Sequence, residues 1–496
     1  MRLLHLPEPA VEFGAGKHTE IREGLALHGP YSLRLGRAHP GTVRVGIVGN
    51  GDAVAGAMTF LSLLRNPVLS GKTNDRLAPD FPGFNATFHA ELGLDARWTH
   101  LIDDAALNAV LALSPREAFS RAIDLWMSGV RELAERDVRP DVIVCALPDE
   151  LREKCGTVDQ PKPKRSGPRQ RPKGRRSNTD QQQLAFGFDE PPGALEASSE
   201  PQPSDLLHRD FRRALKAAAM EFRVPIQIVT PNLYAERRRQ QDPATRSWNL
   251  SVALFYKAGG IPWRMEPITE HSCFVGISFH HLYTADAHLM YSSLAQAFSS
   301  EGDGFALRGD VIPWDPNERR PHLDQGQAER LLTQVVTAYR ERVGRDPLRV
   351  VVHKTTAFTD DERAGVGRAL ANIPAVELGT LRSTEFRLLR QGAYPPHRGT
   401  LCRLADTSFL FTTGYTPARL TYDGPHVPIP IELVGVDSPN ADEVAAEILS
   451  LTKMNWNSAR DHGAFPISLA FARQVGLVMS EIPRDREPHP AYRFYM

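Results

Sequence analysis

The chain has 496 residues, 41% of them hydrophobic, which is enough for roughly two to four domains with real cores. Lysine plus arginine and aspartate plus glutamate each total 59, so net charge excludes no partner and charge must be read locally. The four cysteines (Cys145, Cys155, Cys273, Cys402) show no CxxC or CxxH spacing, which argues against a zinc centre and a disulfide framework, and no run approaches the roughly 18 apolar residues of a membrane span.

The start MRLLHLPEPAVEF lacks the apolar core of a signal peptide, so a protein of the reducing cytoplasm is expected, with Cys145 and Cys273 as small core residues. TVRVGIVG (42–49) predicts a strand and AVAGAMTFLSLLRN (53–66) a helix. A long amphipathic helix is predicted over 114–136, where Ser114 and Glu117 make a capping box. The apolar PDVIVCALP (140–148) is the next strand, and strands joined by helical crossovers mean a parallel, doubly wound sheet. The pattern stops at 157–204, which is basic first, then glutamine-rich, then acidic and proline-rich. Too little of it is apolar to offset the entropy of ordering, so it is expected to be a mobile insertion. Order resumes with a helix over 206–222, the strand PIQIVT, and a helix in WNLSVALFYKAGGIPWRM (248–265) stopped by two glycines and a proline. From HSCFVGISF onward a second α/β unit is predicted, with helices at 325–343, 359–371, 441–453 and 466–481, a strand at 348–353 and β segments between 375 and 435. The expected division is 1–270 and 271–496.

GIVGNGDAVAG (46–56) places glycines between a strand and a helix, but its spacing is not GxGxxG and no acidic residue ends a second strand at the distance a ribose contact requires. A tight turn is the plainer reading, and a nucleotide-binding α/β enzyme the remoter alternative. His280, His281 and His288 suggest a metal only weakly, since adjacent residues on an extended segment point to opposite faces. Lys216, Gln227 and Lys257 say more, because each interrupts an otherwise apolar helix or strand. A single lysine of this kind usually reaches solvent along its alkyl stem. Two converging cations with an amide would instead hold a terminal phosphate.

These residues carry a resemblance. FRRALKAAAM, VPIQIVT and VALFYKAGGIPW are similar to the MID domain of Argonaute proteins. FVGISF, VVVHKTTAFTDDE, RGTLCRL, LFTTGYTP, PIPIELVG, LTKMNWNS, FPISLAFARQVG and the terminal YRFYM look like the RNase H-like PIWI domain. EPAVEFGAGKHTEIREGLALHGPY and DFPGFNATF resemble the short prokaryotic Argonautes. The resemblance implies an α/β chain with a Rossmann-like MID domain followed by PIWI. It also implies that Lys216, Gln227 and Lys257 bind a guide strand's 5′ phosphate. Arg212 stands where many relatives have a tyrosine that stacks on the first base. The Met496 carboxylate is a further expected contact and, with Gln227, a ligand for a structural Mg2+ at the phosphate.

Two-metal hydrolysis by such a fold needs carboxylates to hold magnesium ions. The corresponding positions read Ser278, then Lys354 or Thr355, then Gly463, while Asp360 and Asp361 fall late enough to begin a helix. No catalysis is therefore expected of this chain, and Lys354, Arg398 and Lys453 are expected to touch nucleic-acid backbone. The resemblance implies a small guide RNA and recognition of complementary single-stranded DNA from plasmids or phage. It further implies a heterodimer with an APAZ-bearing effector (a TIR or Sir2 NADase, or a nuclease) that oligomerises on target binding and depletes NAD in abortive infection. A standalone guide-dependent nuclease is the main alternative.

Overall fold

The computed structural model describes residues 1–71, 77–159, 206, 208–237, 240–266, 270–283, 288–295, 304–313, 321–389, 395–404, 407–417, 427–435, 441–483 and 485–496. The expected insertion therefore lies outside the described residues, except for Thr157–Asp159. That segment forms a strand antiparallel to His208–Asp210, so the chain leaves and returns side by side.

The first sheet has four parallel strands, in the order Glu91–Ile102, Thr42–Asn50, Val142–Ala146, Ile226–Val229. Alternation along Val142–Ala146 shows why it is buried on both faces. Val142, Val144 and Ala146 pack with helices Gly51–Leu63 and Pro243–Lys257, whereas Ile143 and Cys145 pack with helices Pro115–Ala134 and Phe211–Ala219. The capping box at Ser114 and Glu117 forms as expected. The helix expected within 248–265 starts earlier, at Pro243, because Asp242 accepts the Thr245 N–H at 2.9 Å and proline suits a first helical position.

The glycines of GIVGNGDAVAG serve packing. A Cβ on Gly49 would stand 2.6 Å from the Ala146 carbonyl oxygen, and one on Gly56 would stand 2.2 Å from the Tyr234 ring. All four cysteines are buried and free.

Among the described residues the second sheet has nine strands. Its centre is parallel, with Ser272–Tyr283 beside Arg349–Lys354 beside Ala375–Ser383, and the flanking strands are antiparallel. Helix Ile467–Met479 lies so close on this sheet that a Cβ at Gly276 would stand 1.8 Å from the Ser468 carbonyl oxygen. One edge comes from the far end of the chain: Arg2–His5 pairs antiparallel with Thr400–Leu404. The first residues thus belong to the second sheet. A continuous apolar core joins the two sheets, running from Trp248, Phe255 and Trp263 to Trp456, Phe471 and Tyr492. Among the described residues no helix is long and apolar enough to cross a membrane.

Candidate anion pocket

Helix Phe211–Ala219 buries Phe211, Ala214, Leu215, Ala217 and Ala219, and Asp210 caps it by accepting the Arg213 N–H at 3.0 Å. That buried face leaves Arg212 and Lys216, one turn apart, on the same side of the helix. Arg212 is exposed, while the Lys216 side chain runs inward and its Nζ donates to the Tyr495 carbonyl at 3.3 Å. Gln227 sits in the last strand of the four-stranded sheet, paired beside Val144. Lys257 ends helix Pro243–Lys257, is only 2% exposed, and donates from Nζ to Gln227 Oε1 at 2.5 Å. Gly259, at φ +100, then turns the chain away.

The chain end closes this site. Tyr492–Phe494 makes a single 3-10 turn, Tyr492 packs edge-on against Phe471 at 4.4 Å, and Tyr495 and Met496 are buried. Four of the expected residues are thereby placed around one point, with the buried Met496 following the Tyr495 carbonyl.

Electrostatics make the point electropositive. Burial, then Arg212, pulls the Lys216 ammonium down to about 7, and Asp210 opposes this only in part. Burial, then Lys216 and Arg212, holds Lys257 well below its ordinary value. Cations that destabilise one another in a water-poor site gain from an anion among them. A divalent cation fits less well: the Gln227 oxygen expected to ligate Mg2+ is already held by the Lys257 ammonium, and the surrounding charge is positive. Among the described residues no three His, Cys, Asp or Glu side chains gather as a metal group, and the side chains of His280, His281 and His288 lie outside the described residues.

Gln227 also lines a cavity of about 500 Å3. Its walls mix amides and arginines, among them Asn232, Gln240, Asn249 and Arg246, with aliphatic side chains such as Leu233 and Leu250. Arg246 donates to the Leu233 carbonyl, while its Nε has no hydrogen-bond partner. Sequence reading missed this cavity, and the run RRRQQDPATR, rich in cations and amides, was the available signal.

The second sheet corrects three expectations. Lys354 is fully buried, with Nζ 2.5 Å from both Glu362 oxygens, and His322 stands 3.4 Å away. Arg398 is 3% exposed, pairs with Glu8 at 2.8 Å, and donates to the carbonyls of Thr412 and Leu449. Lys453 is also fully buried, 2.6 Å from Glu8. None of the three reaches the surface; each is held inside by a carboxylate. Ser278 is buried one residue past the Ile277–Lys354 pair, Thr355 follows Lys354, and the Gly463 N–H donates to the Thr452 carbonyl at 2.8 Å. Asp360 and Asp361 open helix Asp360–Ala369, capped by Thr359.

No protein-family model and no curated protein matches the chain. Solved structures do. The Clostridium butyricum Argonaute, solved with a guide DNA and a 19-mer target DNA, superposes with a TM-score of 0.60 at 12% identity, covering 97% of this chain and 53% of that one. The fold is Argonaute-like. Drosophila Piwi gives 0.57 at 10% identity over 100% of this chain and 56% of its own. The A. aeolicus Argonaute gives 0.54 at 15% identity over 97% and 53%. The chain thus spans about half the length of these Argonaute structures and is similar to their MID–PIWI part.

Proposed function

We propose that this chain is a non-cleaving short prokaryotic Argonaute that grips the 5′ phosphate of a small guide RNA and presents the guide to complementary single-stranded DNA. The observation that carries the reading is the Lys216–Gln227–Lys257 cluster, in which a buried and a half-buried lysine converge beside Arg212 and the chain end. The fold supports it, as does the guide and target DNA bound by the C. butyricum protein. The amide-lined cavity beside Gln227 gives the strand room to continue past its first phosphate. Pairing would supply sequence choice, and the chain would supply backbone grip and shape.

The absence of cutting is supported by Ser278, Thr355 and Gly463, which bring no carboxylate, and by Lys354, which brings a cation already neutralised by Glu362. Phosphate binding rests here on the chain's own cations, with Mg2+ as an auxiliary only if the phosphate and terminal carboxylate bring it. The APAZ-bearing effector partner, its NADase or nuclease activity and the role in plasmid and phage defence are assigned on the resemblance alone.

The test is selectivity. The purified chain should bind a 5′-phosphorylated RNA at least about tenfold more tightly than its 5′-hydroxyl twin, the difference of one charged hydrogen bond. Lys216→Gln with Lys257→Met should erase that ratio while the protein stays folded by circular dichroism. A ratio unchanged by the double substitution would refute the pocket.

A further inference from the structure

A second group of cations borders the pocket, on the side that Lys257 and the Gly259 turn face. The segment before the C-terminus is pinned there: Ala306 N–H donates to the Pro490 carbonyl at 2.8 Å, Tyr492 N–H donates to the Gly304 carbonyl at 3.2 Å, and Phe305 bridges Ala491. His489 stacks on Phe494 at 3.8 Å and accepts the Ala491 N–H at Nδ1, 3.1 Å, which fixes the neutral ring with its hydrogen on Nε2. Three guanidinium groups act on this ring electrostatically. Arg493 lies 5.9 Å over Phe494, and its Nη1 stands 3.2 Å from where a Cβ on Gly259 would be. Arg342 lies 5.0 Å over Phe305. Arg223 follows the Met220–Phe222 turn in a left-handed conformation, beside Glu221, which pairs with Arg486 at 2.6 Å. Burial, then Arg493, Arg223 and Arg342, depresses His489 to about 4, consistent with three like charges around it.

Neither Arg223 nor Arg493 pairs with a carboxylate among the described residues, and the Arg493 Nε has no hydrogen-bond partner. Arg493 is also tied to the pocket at both ends. Its Nη1 stands beside the turn two residues after Lys257, and Tyr495, two residues on, accepts from Lys216. Two of these guanidinium groups lie over aromatic rings, Arg493 over Phe494 and Arg342 over Phe305, and guanidinium groups suit a phosphate oxyanion, which takes paired N–H donors. We infer that Arg223, Arg342 and Arg493 form a second anion site that holds a phosphate lying beyond the terminal one. The inference rests on the terminal-phosphate reading for what occupies the first site. Two sources share this chemistry: the outer phosphates of a 5′-triphosphorylated guide, and the backbone of a complementary strand, whose 3′ flank antiparallel pairing carries past the guide's 5′ end.

The probes are short RNAs with 5′-hydroxyl, monophosphate or triphosphate ends, and complementary DNA either flush with the guide or extended at its 3′ end. The wild type should bind the triphosphate guide, or the extended DNA once loaded with guide, about tenfold more tightly than the shorter partner. Arg223→Gln with Arg342→Gln should abolish that gain, leave the ratio of monophosphate to hydroxyl unchanged, and lower the salt slope of single-strand affinity by about 0.7 for each phosphate lost. Arg121→Gln, an exposed arginine on another helix, controls for net charge and should change nothing. A gain that survives the double substitution, or no gain from either probe, overturns the inference. If the wild type ignores the monophosphate, the pocket reading fails instead, and the extended-DNA arm alone then decides this one.

Discussion

Holding Lys257 at 2% exposure against one amide oxygen is unfavourable for the empty protein, because an ammonium leaves water for a single strong hydrogen bond. Lys216 carries the same burden more mildly, which gives a pH dependence with a definite sign. Its folded value is about 7, against an ordinary value of 10.5, so the folded chain binds fewer protons than the unfolded chain between those limits. Stability of the empty protein should therefore rise as pH climbs from about 7 toward 10, and Lys216→Met should flatten that rise in a melting-temperature profile. Affinity for a 5′-phosphorylated guide should move the other way, falling as pH rises through about 7 because the anion needs the ammonium. Lys216, Gln227 and Lys257 were legible in sequence because each broke an apolar run. Arg237, Arg246 and the amides of the neighbouring cavity were legible only as the cation- and amide-rich run RRRQQDPATR, since polar residues of a loop and the first turn of a helix look the same whether they line a cavity or face solvent.

Strand Arg349–Lys354 and helix Asp360–Ala369 meet in a buried ion pair that closes the carboxyl end of the parallel strands. Both elements were readable from their patterns, and Thr359 with Glu362 makes a capping box. The second task of Glu362 was not readable: it takes Lys354 Nζ and also the Leu323 N–H at 2.9 Å, a contact 39 residues away in sequence. Lys354 therefore looked like a groove lysine from its position alone. Removing one partner of a buried pair strands the other charge, so Glu362→Ala should cost about 3–5 kcal/mol in chemical denaturation, whereas Lys354→Met with Glu362→Leu should recover most of that loss. If Lys354 contacted nucleic acid instead, Glu362→Ala would alter guide affinity with little change in stability.

Across the whole molecule, the N-terminal arm is fastened to residues about 400 positions away. Arg2–His5 extends the nine-stranded sheet, Glu8 sits between Arg398 and Lys453, and the Ile21 N–H donates to Asp461 Oδ1 at 2.7 Å. The α/β class and most helix positions were legible because periodicity is local. This arm was not, because its partners stand about 390 residues away and no local pattern encodes them. Glu8→Ala should leave two buried cations without their carboxylate and destabilise the fold by about 3–5 kcal/mol, read as a lowered midpoint in urea. Glu8→Asp, with a shorter reach, should fall between.

The central claim joins a pocket that grips a strand end to a second sheet that does not cut. It is tested most directly by loading the purified chain with a 5′-phosphorylated RNA, adding an end-labelled complementary DNA with Mg2+ or Mn2+, and following both complex and label. The account predicts a stable ternary complex that dissociates steeply with added salt and returns the DNA at full length. DNA severed opposite the guide, with the cut abolished by chelation, would contradict it.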